Sequence, residues 1–135
     1  MASPNQNINT NLLTIFNDHF VEFITDIHNV FPDDADILTA KNSLIAIRKA
    51  NPKLIVKIWI QYVATPYQQE ILSGNIEFFI NKDYANDLTR SNNSDQIMSS
   101  IDRLRGPVKQ MTPNDQKKTM KYIQNLSKIA FMVPQ

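Results

Sequence analysis

"NPKLIVKIWIQYVATPYQQE", residues 51–70, is the most apolar stretch of the chain, and its reading decides the fold class. Lys57-Ile58-Trp59-Ile60-Gln61-Tyr62 alternates in the manner of a half-buried strand. Read as a helix, the same residues put Lys53, Lys57 and Gln61 on one polar stripe and leave Leu54, Ile55, Val56, Ile58, Trp59, Tyr62 and Val63 for burial. Periodicity alone allows both, so the ends decide. Asn51-Pro52 pairs an N-cap residue with a proline at the first helical position, where its missing N–H costs nothing. Thr65-Pro66-Tyr67-Gln68 repeats the device, with Gln68 where a capping box places it. The stretch therefore reads as a helix over about residues 52–64 with a restart at Pro66. Its polar stripe and length exclude a bilayer span, which takes about 20 consecutive apolar residues.

Working outward, the flanking segments read as helices too. "TNLLTIFNDHFVEFITDIHNVF" places Leu13, Phe16, Phe20, Phe23, Ile24, Ile27 and Val30 at helical spacing and stops at Pro32. "DDADILTAKNSLIAIRKA" begins with carboxylates and ends with Arg48 and Lys49, in the order the helix dipole favours. A short helix over about residues 66–73 stops at Gly74, and "NIEFFINKDYANDL" supports one or two helical turns. "TRSNNSD" is a linker, and "DQIMSSIDRLR" is a helix that stops at Gly106-Pro107. "TPNDQKKTMKYIQNLSKIAFMV" opens with a Thr-Pro cap and carries Met120, Ile123, Leu126 and Ile129 or Ala130 on one stripe.

The expected fold is all-α, a compact bundle of five to seven helices with short polar termini. It comprises a flexible arm over residues 1–9, a helical core over 10–89, a linker over 90–96 and a basic helical hairpin over 97–135 packed on the core. Its core is expected to hold Phe16, Phe20, Phe23, Ile27, Leu44, Ile47, Ile55, Trp59, Tyr62 and Leu126. With 135 residues, 42% of them apolar, a single domain buries roughly two thirds of its unfolded surface without staples. Only two glycines, Gly74 and Gly106, are present, too few for the turns of a β-rich chain. Cysteine is absent, which removes disulfides and thiolate metal sites and fits a reducing compartment. "MASPNQNINT" has neither the basic nor the apolar region of a signal peptide.

Charge is unevenly placed beneath a net value of +1. Residues 1–40 hold six acids (Asp18, Glu22, Asp26, Asp33, Asp34, Asp36) and no Lys or Arg, whereas residues 90–135 hold eight bases against three acids. Such asymmetry fits head-to-tail assembly, an acidic partner or nucleic acid. It also fits two helix faces that attract each other within the fold. Arg103, Arg105, Lys117, Lys118 and Lys121 form the candidate interaction patch.

The residues do not spell out an enzyme, and no catalytic, metal-ligating or cofactor-binding residue is assigned. His19 and His28, nine positions apart, fall on opposite sides of one helix and read as boundary histidines. Asp33-Asp34-Ala35-Asp36 resembles a calcium loop, but Leu38 falls where an oxygen ligand belongs and no glycine follows, so the cluster reads as a helix start. The two glycines are too far apart for a phosphate loop, and no nucleophile sits in a glycine elbow. The lysines of the last helix suit phosphates, yet no aromatic ladder is interleaved among them.

The blocks "FPDDADILTAKNSLIAIRKANPKLIVKIW", "IEFFINKDYANDL", "IDRLRGPVK" and "KYIQNLSK" resemble a small all-helical protein family of nucleocytoplasmic large DNA viruses that infect algae and protists. The resemblance spans about residues 12–130 and is one of overall wording, with no catalytic signature to carry over. It implies a viral protein made in the host cytoplasm. Small helical proteins of that class serve as minor capsid or virion components, here with other viral proteins or further copies of the chain as partners. The polar head and the "FMVPQ" tail would then act as arms reaching neighbours. The other expectation is a replication or transcription accessory factor that contacts nucleic acid through the basic C-terminal third.

Overall fold

A computed structural model describes residues 4–81 and 92–134. Seven α-helices and no strand occur among the described residues. Helix α1 spans Pro4–Val30, α2 Ala35–Ala50, α3 Leu54–Trp59, α4 Gln68–Ser73, α5 Glu77–Asn81, α6 Asn92–Lys109 and α7 Pro113–Met132. The chain is an all-α multi-helix bundle, with α7 packed along α1, α6 along α2, and the α3 segment between them. No helix among the described residues is long and apolar enough to cross a membrane.

The opening stretch is a core helix with two departures from its expected form. Its regular part begins at Leu54 rather than Pro52, because the first turn closes as a tighter one, the Leu54 N–H donating to the Asn51 carbonyl at 3.2 Å. Asn51 is extended and closes α2 instead, its N–H donating to the Ile47 carbonyl at 2.8 Å. Its Oδ1 then accepts from the Lys53 N–H at 3.3 Å, so one asparagine finishes one helix and turns the chain toward the next. At the other end the backbone widens into a π turn over Ile60–Ala64, closed by the Thr65 N–H donating to the Ile60 carbonyl at 3.1 Å. Thr65 is therefore part of that turn and not the cap of α4, whose preceding residue Tyr67 makes no side-chain cap bond. The polar stripe of Lys53, Lys57 and Gln61 is exposed as its spacing demands.

Trp59 is fully buried at the centre. Its ring meets Phe20 edge-on at 5.5 Å and Phe23 at 6.5 Å, which ties α3 to α1. Its indole N–H donates to the Ser127 Oγ at 3.1 Å, and that hydroxyl donates in turn to the Ile123 carbonyl at 2.8 Å, which ties α3 to α7. Phe16, Ile27, Leu44, Ile55 and Leu126 join the same buried cluster, and so do Phe79, Ile97, Met98, Ile101 and Val108. Ile47 and Tyr62, expected in the core, are only partly buried at its edge.

Helix ends follow local chemistry in most places. Asp34 caps α2, its Oδ1 accepting from the Ile37 N–H at 3.0 Å. Gly74 ends α4 in the left-handed region at φ 74°, where a glycine carries no Cβ penalty. Thr112 caps α7 by accepting from the Asp115 N–H at 3.2 Å, with Pro113 at the first position.

Further boundaries differ from the sequence reading. Helix α6 runs through Gly106-Pro107 to Lys109. Pro107 removes only the N–H that would reach the Arg103 carbonyl, and Gly106 tolerates the constraint a following proline imposes. Burial of Val108 and Met111 rewards the continued turn, and Gln116 Nε2 donates to the Val108 carbonyl at 3.1 Å near the helix end. Most of the expected 90–96 linker is the start of α6, with residues 90 and 91 outside the described residues. Helix α1 begins at Pro4, within the expected arm, and α7 continues through Met132 with Val133 buried, so the end of the chain before Gln135 packs on the bundle.

Trp59→Ala is expected to cost about 3–5 kcal/mol in chemical denaturation. Ser127→Ala, which leaves the buried indole N–H without an acceptor, is expected to cost about 1–3 kcal/mol. A loss below 1 kcal/mol for Trp59→Ala would place the tryptophan outside the core. Thr112→Ala should cost about 1 kcal/mol.

Candidate interaction surfaces

The five candidate residues do not form one patch. Arg103 on α6 donates from Nη1 to the Asp36 carboxylate at 2.9 Å, across to the first turn of α2. Lys118 on α7 reaches the Asp26 carboxylate on α1 at the same distance. Arg105 is drawn to Asp102 one turn away, at 3.6 Å, and is largely covered. The acidic first forty residues and the basic last third thus meet inside one molecule. A further pair, Arg48 to Asp18 at 2.6 Å, links α2 to α1. Exposed pairs of this kind contribute little stability individually. Their joint effect is to use charges that the sequence alone offers equally to a partner.

Around Lys118 the aromatic packing of α1 and α7 sets the electrostatics. Tyr122 lies 4.9 Å from the His19 ring and 6.0 Å from Phe23. Burial pushes its phenol above the ordinary 10.0, and the nearby Asp26 and Glu22 carboxylates push the same way. The hydrogen bond to Asp26, and then its charge, raise the Lys118 ammonium above the ordinary 10.5. His19 sits beside Glu22 at 3.5 Å, and the His28 ring contacts the Pro32 carbonyl at 3.2 Å, so each histidine is used locally.

Lys117 and Lys121 belong to a different surface. At 3.6 residues per turn they lie within about 40° of each other around α7, and Lys128 falls between them in angle. All three are exposed, and Lys118 is turned from this stripe toward α1. Beside the stripe, α7 faces α4 across two shallow grooves. One, of about 210 Å³, is mostly apolar and is lined by Ala64, Gln68, Ile71 and Leu72 on one side and Gln124, Ser127, Lys128 and Phe131 on the other. The second runs between Gly74 and Ile76 and the first half of α7, at Gln116, Lys117 and Met120, and shares Gln124 with the first. Gln124 Nε2 donates to the Ile71 carbonyl at 2.9 Å and bridges the cleft where the two grooves meet. Leu72 and Phe131, at 72% and 50% exposure, stand on opposite walls, and Met132 beside Phe131 is also exposed.

Lys128 and Phe131 were not in the expected patch. Lys128 follows Lys121, and Phe131 follows Gln124, by seven residues, a spacing readable in the sequence, but the apolar wall contributed by Leu72 comes from a distant segment. A third cleft, between α2 and α6, is lined by Thr39, Ser43, Ser99 and Ser100 and bounded by Arg103. Among the described residues no cluster of three or more His, Asp or Glu is placed to hold a metal. No protein-family model, curated protein or solved structure matches the chain.

The raised values of Lys118 and Tyr122 fix a direction with pH. Each group binds its proton more tightly in the folded state, so its contribution is complete below the unfolded values and is lost as pH rises through the folded ones. Stability is therefore expected to fall as pH rises above 10.0, and Tyr122→Phe should flatten part of that fall in denaturation curves across this range. An identical slope in wild type and variant would show that Tyr122 titrates as it does in the unfolded chain.

Proposed function

We propose that this chain is a non-enzymatic interaction protein that works through its helical surfaces, as a minor capsid or other virion component of a large DNA virus. The observation that carries the interaction part is the α4–α7 cleft. Exposed Leu72 and Phe131 border an apolar groove on the outside of the bundle. Single exposed apolar residues are ordinary, whereas apolar residues gathered around a groove mark contact surfaces. The viral part rests on the resemblance of the four sequence blocks alone, and it carries the expectations of other viral proteins as partners, host cytoplasm as the place of synthesis and the virion as destination.

One observation favours a second reading. Lys117, Lys121 and Lys128 project from one edge of α7, an arrangement suited to phosphates, which supports an accessory factor that touches nucleic acid. The lysines stand beside an apolar cleft rather than among stacked aromatic rings, and this favours a protein partner.

Quantitative mass spectrometry of purified virus particles tests the proposal. The chain is expected in the particle at a fixed copy number relative to the major capsid protein. Its absence from particles would overturn the virion reading. A gel shift on duplex or single-stranded DNA, abolished by Lys117→Glu with Lys121→Glu, would turn the assignment to the accessory role.

A further inference from the structure

We propose that the α4–α7 cleft binds an acidic amphipathic helix of a partner protein. Apolar side chains of that helix would seat between Leu72 and Phe131, and its carboxylates would lie against Lys117, Lys121 and Lys128. This inference rests on the interaction reading above and names the class of partner.

The charge on the cleft has one sign. Lys117 borders the groove beside Gly74 and Ile76, Lys128 borders the groove beside Leu72, and Lys121 lies between them on the same stripe. Along the helix axis Lys117 and Lys121 are about 6 Å apart, and Lys121 and Lys128 about 10 Å. A helix laid along α7 therefore meets the three ammonium groups with carboxylates spaced one turn and two turns apart, the spacing of one face of a helix. The apolar element is at one end. At about 210 Å³ the groove there is smaller than a small-molecule pocket and open, a fit for one or two anchoring side chains of a larger partner. Apolar anchors in a groove with complementary charge along its rim are the elements of helix-in-groove recognition. The anchors supply holding energy, and the charges set register and speed encounter.

A second copy of the chain is a poorer occupant. Most of its acidic first forty residues are already used within their own molecule: Asp18, Asp26 and Asp36 pair with Arg48, Lys118 and Arg103, Glu22 sits beside His19 and Asp34 caps α2, which leaves Asp33 exposed. A partner with carboxylates not so engaged meets the lysine stripe without breaking the ties between α1, α2, α6 and α7. Gln124 has a defined part. Its bond to the Ile71 carbonyl crosses the cleft, so a helix seated in both grooves either rides over that bridge or replaces it.

The test uses the full chain and a displayed library of helical peptides. Leucines are set at i, i+4 and i+7 and glutamates along the flanking face, and every member has a scrambled counterpart of equal composition. Amphipathic members are expected to bind at least tenfold more tightly than their scrambles. That preference should fall at least tenfold in Lys121→Glu with Lys128→Glu, and again in Leu72→Ser with Phe131→Ser. Both double variants should keep the wild-type thermal midpoint, because all four side chains are exposed. Asp26→Asn, on the other face of α7's contact with α1, should leave binding unchanged. Equal binding of scrambled and amphipathic members would reduce the cleft to bulk charge and overturn the inference. So would enrichment that survives both double variants, displacement of the peptides by duplex DNA with the same lysine dependence, or a concentration-dependent dimer lost in Leu72→Ser with Phe131→Ser. Failure on any of these counts, with the chain still present in particles, removes the acidic helix and leaves the virion reading intact.

Discussion

The Trp59–Ser127 hydrogen bond sets the geometry on which the rest of the molecule depends. A buried indole N–H without an acceptor is costly, and Ser127 is its partner at 3.1 Å. Ser127 is held by its own bond to the Ile123 carbonyl, so the acceptor sits in a fixed rotamer on α7. With Phe20 and Phe23 against the tryptophan ring from α1, three helices share one contact. The rotation of α7 about its axis follows. Once Ser127 faces the core, Gln124 and Phe131, one turn to either side, fall at the boundary facing α4, and Lys117, Lys121 and Lys128 fall just outside them. The cleft and its basic rim are consequences of how one indole is satisfied.

The π turn that follows Trp59 belongs to the same arrangement. A regular helix through residue 65 would carry the chain onward in line with α3. The wider turn at Ile60–Ala64 places Val63 and Ala64 inward and directs the chain into α4 beside α7. Ala64 then forms the floor of the apolar groove, with Leu72 on its rim. Widened turns within helices are frequent at functional positions, and this one builds a wall of the proposed binding cleft.

Charge has two separate uses. Asp18, Asp26 and Asp36 pair with Arg48, Lys118 and Arg103 across helix–helix contacts, which keeps the acidic and basic ends of the sequence together. The remaining α7 lysines lie on another face and make the cleft positive. A count of charges by sequence segment merges these uses, and so the candidate patch joined residues that the fold separates. Arg103 and Lys118 act within the fold, whereas Lys117 and Lys128 line the two grooves and Lys121 lies between them along α7.

The all-α class, most helix positions and much of the core were legible in the sequence. Polar residues at spacing four around Trp59, the Thr112-Pro113 start, the Asp34 cap and the Gly74 stop are local signals, and the helices obey them because each needs only neighbouring backbone groups. Where local signals failed, a longer-range force won. Burial of Val108 carried α6 past Gly106-Pro107, and Ile47 and Tyr62 lie at the edge of a core that is also filled by Phe79 and Met98 from other segments. Whether a lysine near the end of the chain would pair with its own acids or stand beside an apolar groove was open in the sequence. That depends on the rotation of α7 against α1, α3 and α4, which no local pattern encodes. Packing around Trp59 decided it, because only one rotation of α7 offers the indole its hydroxyl while burying Ile123, Leu126 and Ala130.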